Sequence, residues 1–396
     1  MTSRTQATRT PPPLVEPAAE LTPAETARYA RHLILPQLGS DGQRRLKNAR
    51  VLVIGAGGLG SPALLYLAAA GVGTLGVIDF DDVEESNLHR QVIHGQADIG
   101  RPKVESARDT VASVNPLVRF VAHHERLDND NAVALFTSYD LILDGTDNFA
   151  TRYLVNDAAE LAGRPYVWGS IFRFAGQVSV FWSGHGPTYR DLFPEPPPAG
   201  TVPSCAEGGV LGVLCSAIGS VMATEAVKLI TGIGDSLLGR VLIHDALAMT
   251  YDTIELKPDP DRTPVTALTD YVALCGVPPE PVAADGDEIT VAELRRRLDE
   301  RDRGERDFVL VDVREPGEWE VNRIPGAVLV PQREFAAGRV PAAADDGRPI
   351  ILYCKVGVRS ANCLAVLHSL GRADAVHVAG GVDAWVAEIE PHQARY

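Results

Sequence analysis

Two short stretches of this 396-residue chain combine residue types and spacings that can do chemistry. The first, Gly55-x-Gly57-x-x-Gly60, follows the apolar run at residues 51–54. Because glycines lack side chains, such a turn lets backbone N–H groups approach a phosphate at the start of a helix. The second, Cys354-Lys-Val-Gly-Val-Arg359, also follows an apolar run, and its N–H groups can converge on a sulfur atom. We therefore expect a nucleotide site in the first half of the chain and a reactive thiol near its end.

An acidic residue supports the nucleotide site without identifying the nucleotide. Asp79 ends the next apolar run, where a carboxylate can hold ribose hydroxyls. A nicotinamide-dependent oxidoreductase carries the same combination of glycine turn and acid. These two features leave both classes of enzyme open.

Three charged residues farther along the chain, Arg90, Lys103 and Asp147, favour ATP over a nicotinamide cofactor. Attack on the α-phosphate of ATP moves negative charge onto the departing pyrophosphate, and positive side chains and Mg²⁺ neutralise that charge. Carboxylate oxygens such as those of Asp147 are the ligands that Mg²⁺ prefers. Hydride transfer has no need of this combination, so we expect nucleotidyl transfer.

The full order of motifs resembles the MoeB/ThiF branch of the E1-like superfamily over roughly residues 21–257. Members of this family adenylate the C-terminal glycine of small ubiquitin-like proteins. The motifs are Asp79-Phe-Asp-Asp-Val-Glu-Glu-Ser-Asn87-Leu-His-Arg90-Gln91, Gly100-Arg-Pro-Lys103 and Asp144-Gly-Thr-Asp147-Asn148. The resemblance implies ATP and Mg²⁺ as cofactors, a carrier protein ending in Gly-Gly as partner, and a homodimer.

The same resemblance implies a role for each matching residue. Asp79 would bind the ribose, Asp147 would bind Mg²⁺, and Arg31 would enter the site of the partner subunit. The loop glycines are Gly55, Gly57, Gly58 and Gly60, and the remaining nucleotide contacts are Asn87, Arg90, Gln91, Lys103 and Asn148. We expect Arg90 and Asp147 to take part in catalysis.

The cysteines depart from the family in one respect. Many relatives bind a structural zinc through two Cys-x-x-Cys pairs. Here Thr188-Tyr-Arg-Asp191 replaces the first pair and Val272-Ala-Leu-Cys275 retains one thiol, so we expect no structural zinc. Cys205 follows a Pro- and Gly-rich stretch, at the position where related enzymes carry a catalytic thiol, and we expect it to be catalytic too. Cys215 lies in an apolar segment and is predicted to be a core residue.

Residues 288–390 resemble the rhodanese family of sulfurtransferases. The motifs that carry this resemblance are Val311-Asp312-Val-Arg314-Glu-Pro-Gly-Glu318-Trp, Ile324-Pro-Gly-Ala327 and Gly380-Gly-Val-Asp-Ala-Trp385. The resemblance implies that Cys354 is a catalytic thiol that carries a persulfide. Its loop would be formed by Cys354, Lys355, Val356, Gly357, Val358 and Arg359.

A cysteine phosphatase is the alternative interpretation of this loop. Phosphatases place five residues between Cys and Arg to surround a tetrahedral phosphate, whereas this chain has four, and the smaller ring suits sulfur. Asp312 and Arg314 are expected to form a bracing salt bridge. Cys363 is predicted to be a core residue, and Arg323 stands where many rhodaneses have histidine.

Together the two domains predict activation of a carboxylate followed by sulfur transfer. The carrier's Gly-Gly terminus would form an acyl-adenylate, which a Cys354 persulfide would convert to a thiocarboxylate, with thiosulfate or a persulfide-carrying protein as sulfur donor. Such a product serves molybdopterin synthesis or related sulfur assimilation. The alternative is an E1-type activating enzyme that forms a thioester at Cys205 with a ubiquitin-like modifier. A scaffold that only binds nucleotide would leave ATP uncleaved.

Composition limits the other classes of protein. The formal net charge is −15, which disfavours binding to nucleic acid or anionic membranes, and no apolar run approaches the roughly 20 residues of a membrane span. We expect a cytoplasmic α/β protein. It would have a disordered leader (1–20), a Rossmann-like adenylyltransferase domain (21–257), a Pro-rich linker (258–287) and a smaller rhodanese domain (288–396). We also expect a mobile loop over residues 184–209 and a helix over 216–230.

Overall fold

The structure is a computed structural model that describes residues 11–196, 209–275, 287–337, 342, 344 and 347–396. The chain divides into two compact units, Met1–Gly276 and Val277–Tyr396. Each unit is built on its own sheet, and the two are described separately below.

The first unit contains an eight-stranded sheet in the order β3-β2-β1-β4-β5-β6-β7-β8. The five strands from β3 to β5 pair in parallel, and the pairs from β5 to β8 are antiparallel. The strands are β1 (Arg50–Ile54), β2 (Thr74–Ile78), β3 (Arg119–His123), β4 (Leu141–Asp144), β5 (Tyr166–Phe172), β6 (Ala175–Phe181), β7 (Arg240–Asp245) and β8 (Thr250–Glu255).

Helices cover both faces of the parallel half of this sheet. The alternation of β1 shows why: Val51 and Val53 belong to one apolar cluster, and Leu52 and Ile54 belong to another on the opposite face. The helices are α1 (Pro23–Arg28), α2 (Ala30–Leu33), α3 (Gly39–Asn48), α4 (Gly60–Ala70), α5 (Lys103–Val114), α6 (Ala132–Thr137), α7 (Phe149–Ala162), α8 (Tyr189–Leu192), α9 (Gly212–Thr231) and α10 (Tyr271–Leu274). This is the doubly wound α/β arrangement that the sequence predicts.

The second unit contains a five-stranded parallel sheet in the order β11-β10-β12-β13-β9. Its strands are β9 (Glu288–Ile289), β10 (Val309–Asp312), β11 (Ala327–Leu329), β12 (Ile350–Tyr353) and β13 (Val376–Val378). Its helices are α11 (Val291–Asp302), α12 (Pro316–Val321), α13 (Val358–Ser369) and α14 (Gly381–Glu388). Thr290 caps α11 by accepting a 3.2 Å hydrogen bond from the Glu293 amide, as its position suggests.

Two predicted irregular segments are partly ordered. Within residues 1–20, the Leu14 amide donates to the Leu229 carbonyl at 3.1 Å and the Ala18 amide to the Arg44 carbonyl at 3.0 Å. The described part of the predicted leader, residues 11–20, thus makes backbone hydrogen bonds to the first unit, and residues 1–10 lie outside the described residues. Within residues 258–287, the Arg262 guanidinium lies 3.1 Å from the Glu160 carboxylate. That part of the predicted linker packs on the first unit.

Two other predictions differ in extent. Helix α8 forms inside the predicted loop, because Thr188 and Asp191 close a capping box at its start. Helix α9 begins four residues before the predicted start at residue 216. Within the described part of the chain, α9 is also the helix whose length and composition would suffice for a membrane span. It packs against β5, β6 and α4 and buries Leu214, Ile218 and Leu229, as a core helix does.

Candidate functional site

The glycine turn joins the end of β1 to the start of α4, and the space available for a side chain differs from one glycine to the next. A Cβ on Gly60 would lie 1.9 Å from the Gly55 carbonyl oxygen, so this position requires glycine for the turn itself. A Cβ on Gly58 would lie 2.9 Å from the Cys215 Sγ. At Gly57 the nearest atom would be the Gln91 Nε2 at 3.7 Å. Gly57 thus leaves its backbone open to a ligand.

A cavity of about 880 Å³ opens beyond the carboxyl ends of the parallel strands. Ligands of open α/β sheets bind at this edge, and the volume suits a nucleotide. Most of the residues predicted from the sequence line it: Gly55, Gly57, Gly58, Asp79, Arg90, Gln91, Lys103, Asp147 and Asn148. The structure therefore brings into one cavity residues from motifs that are far apart in the chain.

Three predicted residues do not line this cavity. Gly60 lies behind the turn, at the first position of α4. Asn87 is buried, and its side chain contacts the Glu84 amide at 3.4 Å and the Ser86 hydroxyl at 3.3 Å, so in this structure it shapes the turn that carries Arg90. Arg31 is exposed on α2.

Asp79 and Lys103 are two oppositely charged residues that line the cavity. The Asp79 carboxylate is buried and accepts hydrogen bonds from the amides of Ala56 at 2.8 Å and Asp81 at 2.9 Å. Burial raises the pKa of Asp79, although the nearby Lys103 ammonium opposes the shift. Lys103 is buried and contacts the Asp81 carboxylate at 2.9 Å, so a carboxylate holds this cation in place.

Arg90 and Asp147 face the same cavity from two different loops. The Arg90 guanidinium donates to the Ser86 carbonyl at 2.8 Å, which holds it beside the turn. Asp147 is exposed, and Asn148 next to it caps α7 by accepting from the Thr151 amide at 2.9 Å. An exposed carboxylate at the cavity fits the oxygen chemistry of a magnesium ligand.

Sequence reasoning gave too small a role to Arg152 and Cys215. Arg152, on α7, lines the cavity, is buried and donates to the Thr146 carbonyl at 3.2 and 3.1 Å. Cys215 is buried as predicted, yet it also lines the cavity, beside the glycine turn. Arg152 follows Asn148 by four residues, and residues four apart lie on the same face of a helix. The sequence therefore did contain a signal that Arg152 lies near Asn148.

A buried polar cluster lies where the resemblance led us to consider cysteine pairs. Asp157 accepts hydrogen bonds from Arg190 at 2.8 and 2.7 Å and from the Tyr271 hydroxyl at 2.8 Å. The Arg190 guanidinium is therefore held inside this cluster by the Asp157 carboxylate. Cys275 is buried nearby, and burial raises the pKa of its thiol. The absence of a structural zinc stays a prediction.

In the second unit, the Cys354 loop connects β12 to α13. The Cys354 side chain is 1% exposed, and its Sγ accepts a 3.1 Å hydrogen bond from the Gly357 amide. Gly357 has a φ of 105°, a left-handed conformation that glycine adopts without strain and that turns its amide towards the sulfur. The loop thus offers the sulfur at least one backbone donor, as the spacing suggested.

Two flanking motifs hold this loop. The amides of Val382 and Asp383, at the start of α14, donate to the carbonyls of Cys354 at 2.9 Å and Lys355 at 3.1 Å. A Cβ on Gly381 would lie 2.3 Å from the Cys354 carbonyl oxygen, which explains glycine at that position. On the other side, Arg359 donates two 2.7 Å hydrogen bonds to Glu318.

The remaining cysteine and salt-bridge predictions have different outcomes. The Asp312–Arg314 pair is confirmed as a salt bridge, with both side chains fully buried. Cys363 is confirmed as a core residue, and burial raises the pKa of its thiol to about 12. Cys205 lies outside the described residues.

Comparison with known proteins agrees with this architecture. The ThiF family model matches residues 29–265, and the rhodanese-like domain model matches residues 290–388. The chain belongs to the ThiF family. It carries a rhodanese-like domain after the ThiF domain, and it is an enzyme of the adenylyltransferase and sulfurtransferase class.

The relatives of this ThiF-family enzyme include proteins with the same two domains. A probable adenylyltransferase/sulfurtransferase MoeZ of Mycobacterium tuberculosis is 59% identical over 97% of this chain and 99% of that protein. The adenylyltransferase and sulfurtransferase MOCS3 of Aedes aegypti is 38% identical over 93% of this chain and 88% of that protein. The sulfur carrier protein adenylyltransferase of Thermus thermophilus is 51% identical, over 65% of this chain and 98% of that protein.

A solved structure supports the fold of the first part. The crystal structure of E. coli MccB with ATP has a TM-score of 0.52 and 20% identity, and the match covers 60% of this chain and 74% of that chain. At this identity the likeness concerns the fold alone.

Proposed function

We propose that this enzyme uses ATP to adenylate the C-terminal Gly-Gly of a ubiquitin-like sulfur carrier protein of the MoaD, ThiS or CysO kind, and that a persulfide on Cys354 then supplies sulfur to give a thiocarboxylate. The observation that carries the proposal is the single cavity that gathers Gly57, Asp79, Arg90, Lys103 and Asp147 in a chain that also contains the Cys354 loop.

The cavity has the parts that adenylation needs. Gly57 leaves room for a phosphate against the backbone, and Asp79 offers carboxylate oxygens to the ribose. The carrier's terminal carboxylate attacks the α-phosphate, an acyl-adenylate forms, and pyrophosphate leaves. Arg90 and Lys103 offset the negative charge that develops on the phosphates. Asp147 would hold Mg²⁺, which when bound neutralises further phosphate charge.

The second step uses the thiol in the rhodanese-like domain. The Cys354 thiolate attacks the outer sulfur of a donor such as thiosulfate or a persulfide-carrying protein, the S–S bond of the donor breaks, and sulfite or the donor's thiolate leaves. The terminal sulfur of this persulfide attacks the acyl carbon, AMP leaves, and the carrier is joined to Cys354 through an acyl disulfide. A thiol, either Cys205 or an external one, then attacks the Cys354 sulfur, which releases the carrier as a thiocarboxylate and leaves Cys354 in a disulfide with that thiol.

The setting of this chemistry is also part of the proposal. The enzyme acts in the cytoplasm as a homodimer, with Arg31 of each subunit reaching the nucleotide site of the other. The thiocarboxylate supplies sulfur for molybdopterin, for a related cofactor or for cysteine. The support for this setting is the family membership together with the exposure of Arg31 on α2.

Intact-mass analysis of the carrier tests the proposal. Purified enzyme is incubated with ATP, Mg²⁺, thiosulfate, a thiol reductant that returns Cys354 to its free form, and a candidate carrier, and the replacement of one carrier oxygen by sulfur is measured. We expect this exchange in the wild type, its loss in Cys354→Ala and its retention in the matched core variant Cys363→Ala.

Two further outcomes separate the steps. ATP–pyrophosphate exchange that depends on the carrier must persist in Cys354→Ala, because adenylation does not use this thiol. A stable carrier thioester on Cys205, with sulfur exchange that is indifferent to Cys354, would instead favour an E1-type activating enzyme. No pyrophosphate exchange with any Gly-Gly carrier would contradict the adenylation step.

A further inference from the structure

The C-terminal segment lies against the elements that hold the Cys354 loop. The Asn322 side chain donates to the Ala394 carbonyl at 2.7 Å, and the Gln393 side chain bonds the Arg323 backbone at 3.3 and 3.2 Å. These contacts fix the path of the last residues. They bring Tyr396 next to two motifs of the sulfurtransferase unit.

The Tyr396 hydroxyl joins two buried ion pairs. It accepts a 2.7 Å hydrogen bond from Arg314 and donates one of 2.8 Å to Glu318. Glu318 in turn holds Arg359, the last residue of the Cys354 loop. Burial raises the pKa of the Tyr396 phenol, so it stays a neutral donor in this position.

The Tyr396 ring makes a second contact, with a residue inside the loop. The Lys355 ammonium lies 4.5 Å from the centre of this ring, within the range of a cation–π interaction. Lysine has a long flexible side chain, so holding its charge in one place costs conformational entropy. The ring thus supplies a fixed position for the charge of Lys355, the residue that follows Cys354 in the chain.

We propose that Tyr396 is a positioning residue for sulfur transfer: its ring holds Lys355 beside Cys354, where the ammonium receives an anionic sulfur donor. The proposal rests on the proposed role of Cys354 as the sulfur acceptor. The ring and the hydroxyl of Tyr396 have different roles. The ring acts on donor binding through Lys355, and the hydroxyl acts on the stability of the Arg314 and Glu318 network.

The test is a steady-state assay of the full-length enzyme with thiosulfate as donor and cyanide as acceptor. Loss of a cation–π contact corresponds to about a fivefold effect, so Tyr396→Leu should raise the KM for thiosulfate about fivefold with kcat within about twofold. Tyr396→Phe retains the ring and should keep the wild-type KM, although its hydroxyl contacts are lost. His392→Leu, an exposed change in the same segment, is the matched control and should leave both constants unchanged.

A double-mutant cycle distinguishes positioning from a merely structural role. Lys355→Met should raise the KM at least as much as Tyr396→Leu, and the double variant should resemble Lys355→Met alone, because Tyr396 acts through Lys355. Added salt should raise the KM of the wild type more than that of either variant. Effects that multiply, or a Tyr396→Phe enzyme that matches Tyr396→Leu, would overturn the proposal.

A second measurement does not depend on sulfur transfer. Alkylation of Cys354 by anionic iodoacetate is compared with alkylation by neutral iodoacetamide, and the ratio of the two rates should fall in both Lys355→Met and Tyr396→Leu. If Cys354→Ala kept thiosulfate turnover, the proposed function would fail while this ratio still tested Tyr396. If Tyr396→Leu fails to fold, the other two variants still test the proposal. A ratio of iodoacetate rate to iodoacetamide rate that is unchanged in Lys355→Met would overturn it. A lower ratio in Tyr396→Phe than in the wild type would overturn it too.

Discussion

Arg190 donates two parallel hydrogen bonds, of 2.8 and 2.7 Å, to the buried carboxylate of Asp157. The pair ties α8 to α7, and the Tyr271 hydroxyl ties α10 to the same carboxylate at 2.8 Å. Arg262 adds a contact from the following segment to Glu160 at 3.1 Å. Two ion pairs and the tyrosine hydrogen bond thus hold α8, α10 and the segment that contains Arg262 against α7.

We predict that Arg190→Met destabilises the first unit by about 3 to 5 kcal/mol, because it leaves the Asp157 carboxylate buried without its cation. Urea unfolding measures the change. Arg108→Met is the matched control: Arg108 pairs with Glu105 on the exposed face of α5, and exposed pairs contribute about 0 to 1 kcal/mol. The double variant Asp157→Leu/Arg190→Met should recover much of the loss, and a double variant as unstable as Arg190→Met alone would contradict this explanation.

The glycine turn offers a prediction that separates folding from binding. Gly60→Ala should destabilise the protein, because a Cβ there would lie 1.9 Å from a backbone oxygen. Gly57→Ala has room in the protein, with its nearest contact at 3.7 Å, but its methyl group would lie where the backbone approaches a phosphate. We therefore expect Gly57→Ala to keep the wild-type melting temperature and to raise the KM for ATP at least about tenfold.

Pyrophosphate exchange and thermal unfolding of both variants check this prediction. A Gly57→Ala enzyme that loses both stability and ATP binding would contradict the prediction, because the weaker binding would then be explained by a disturbed fold. An unaltered KM for ATP in a folded Gly57→Ala enzyme would mean that the phosphate lies elsewhere in the cavity.

Much of the fold and of both sites could be predicted from the sequence, because the motifs lie at strand ends. Gly57 and Cys354 each follow a run of apolar residues that forms a buried parallel strand, so their chemistry is exposed where the strand stops. Strand β3 has partly exposed residues and gave no strong apolar signal. The ion pair between Arg190 and Asp157 could not be predicted from the sequence either, because the two residues are 33 positions apart in the chain.

The buried thiol of Cys363 should be chemically inert in the folded enzyme. Burial raises its pKa to about 12, so at pH 8 only about one molecule in 10⁴ carries the reactive thiolate. We expect iodoacetamide at pH 8 to leave Cys363 unmodified, as shown by peptide mass analysis, and to modify it once the protein is unfolded in urea. Modification of Cys363 at equal rates in the native and unfolded protein would contradict its place in the core.

The last prediction concerns acid stability and the Glu318–Arg359 pair. Burial alone would raise the pKa of Glu318, but hydrogen bonds from Arg359, the Glu315 amide and Tyr396 outweigh it and hold the pKa below its ordinary value of 4.5. A carboxylate with a lowered folded-state pKa stabilises the folded state above its unfolded pKa, and this contribution is lost as the pH falls through the folded pKa.

Unfolding of the wild type between pH 7 and pH 3 should therefore show a loss of stability that begins near pH 4.5 and continues below it. Glu318→Gln should be less stable than the wild type at pH 7, because Arg359 loses its carboxylate partner, and its stability should fall less steeply below pH 4.5. Glu334→Gln, a change in an exposed carboxylate of the same unit, should keep the wild-type pH dependence. If Glu318→Gln and the wild type lose stability in parallel through the acid range, other carboxylates set the acid limit and the Glu318 pair does not.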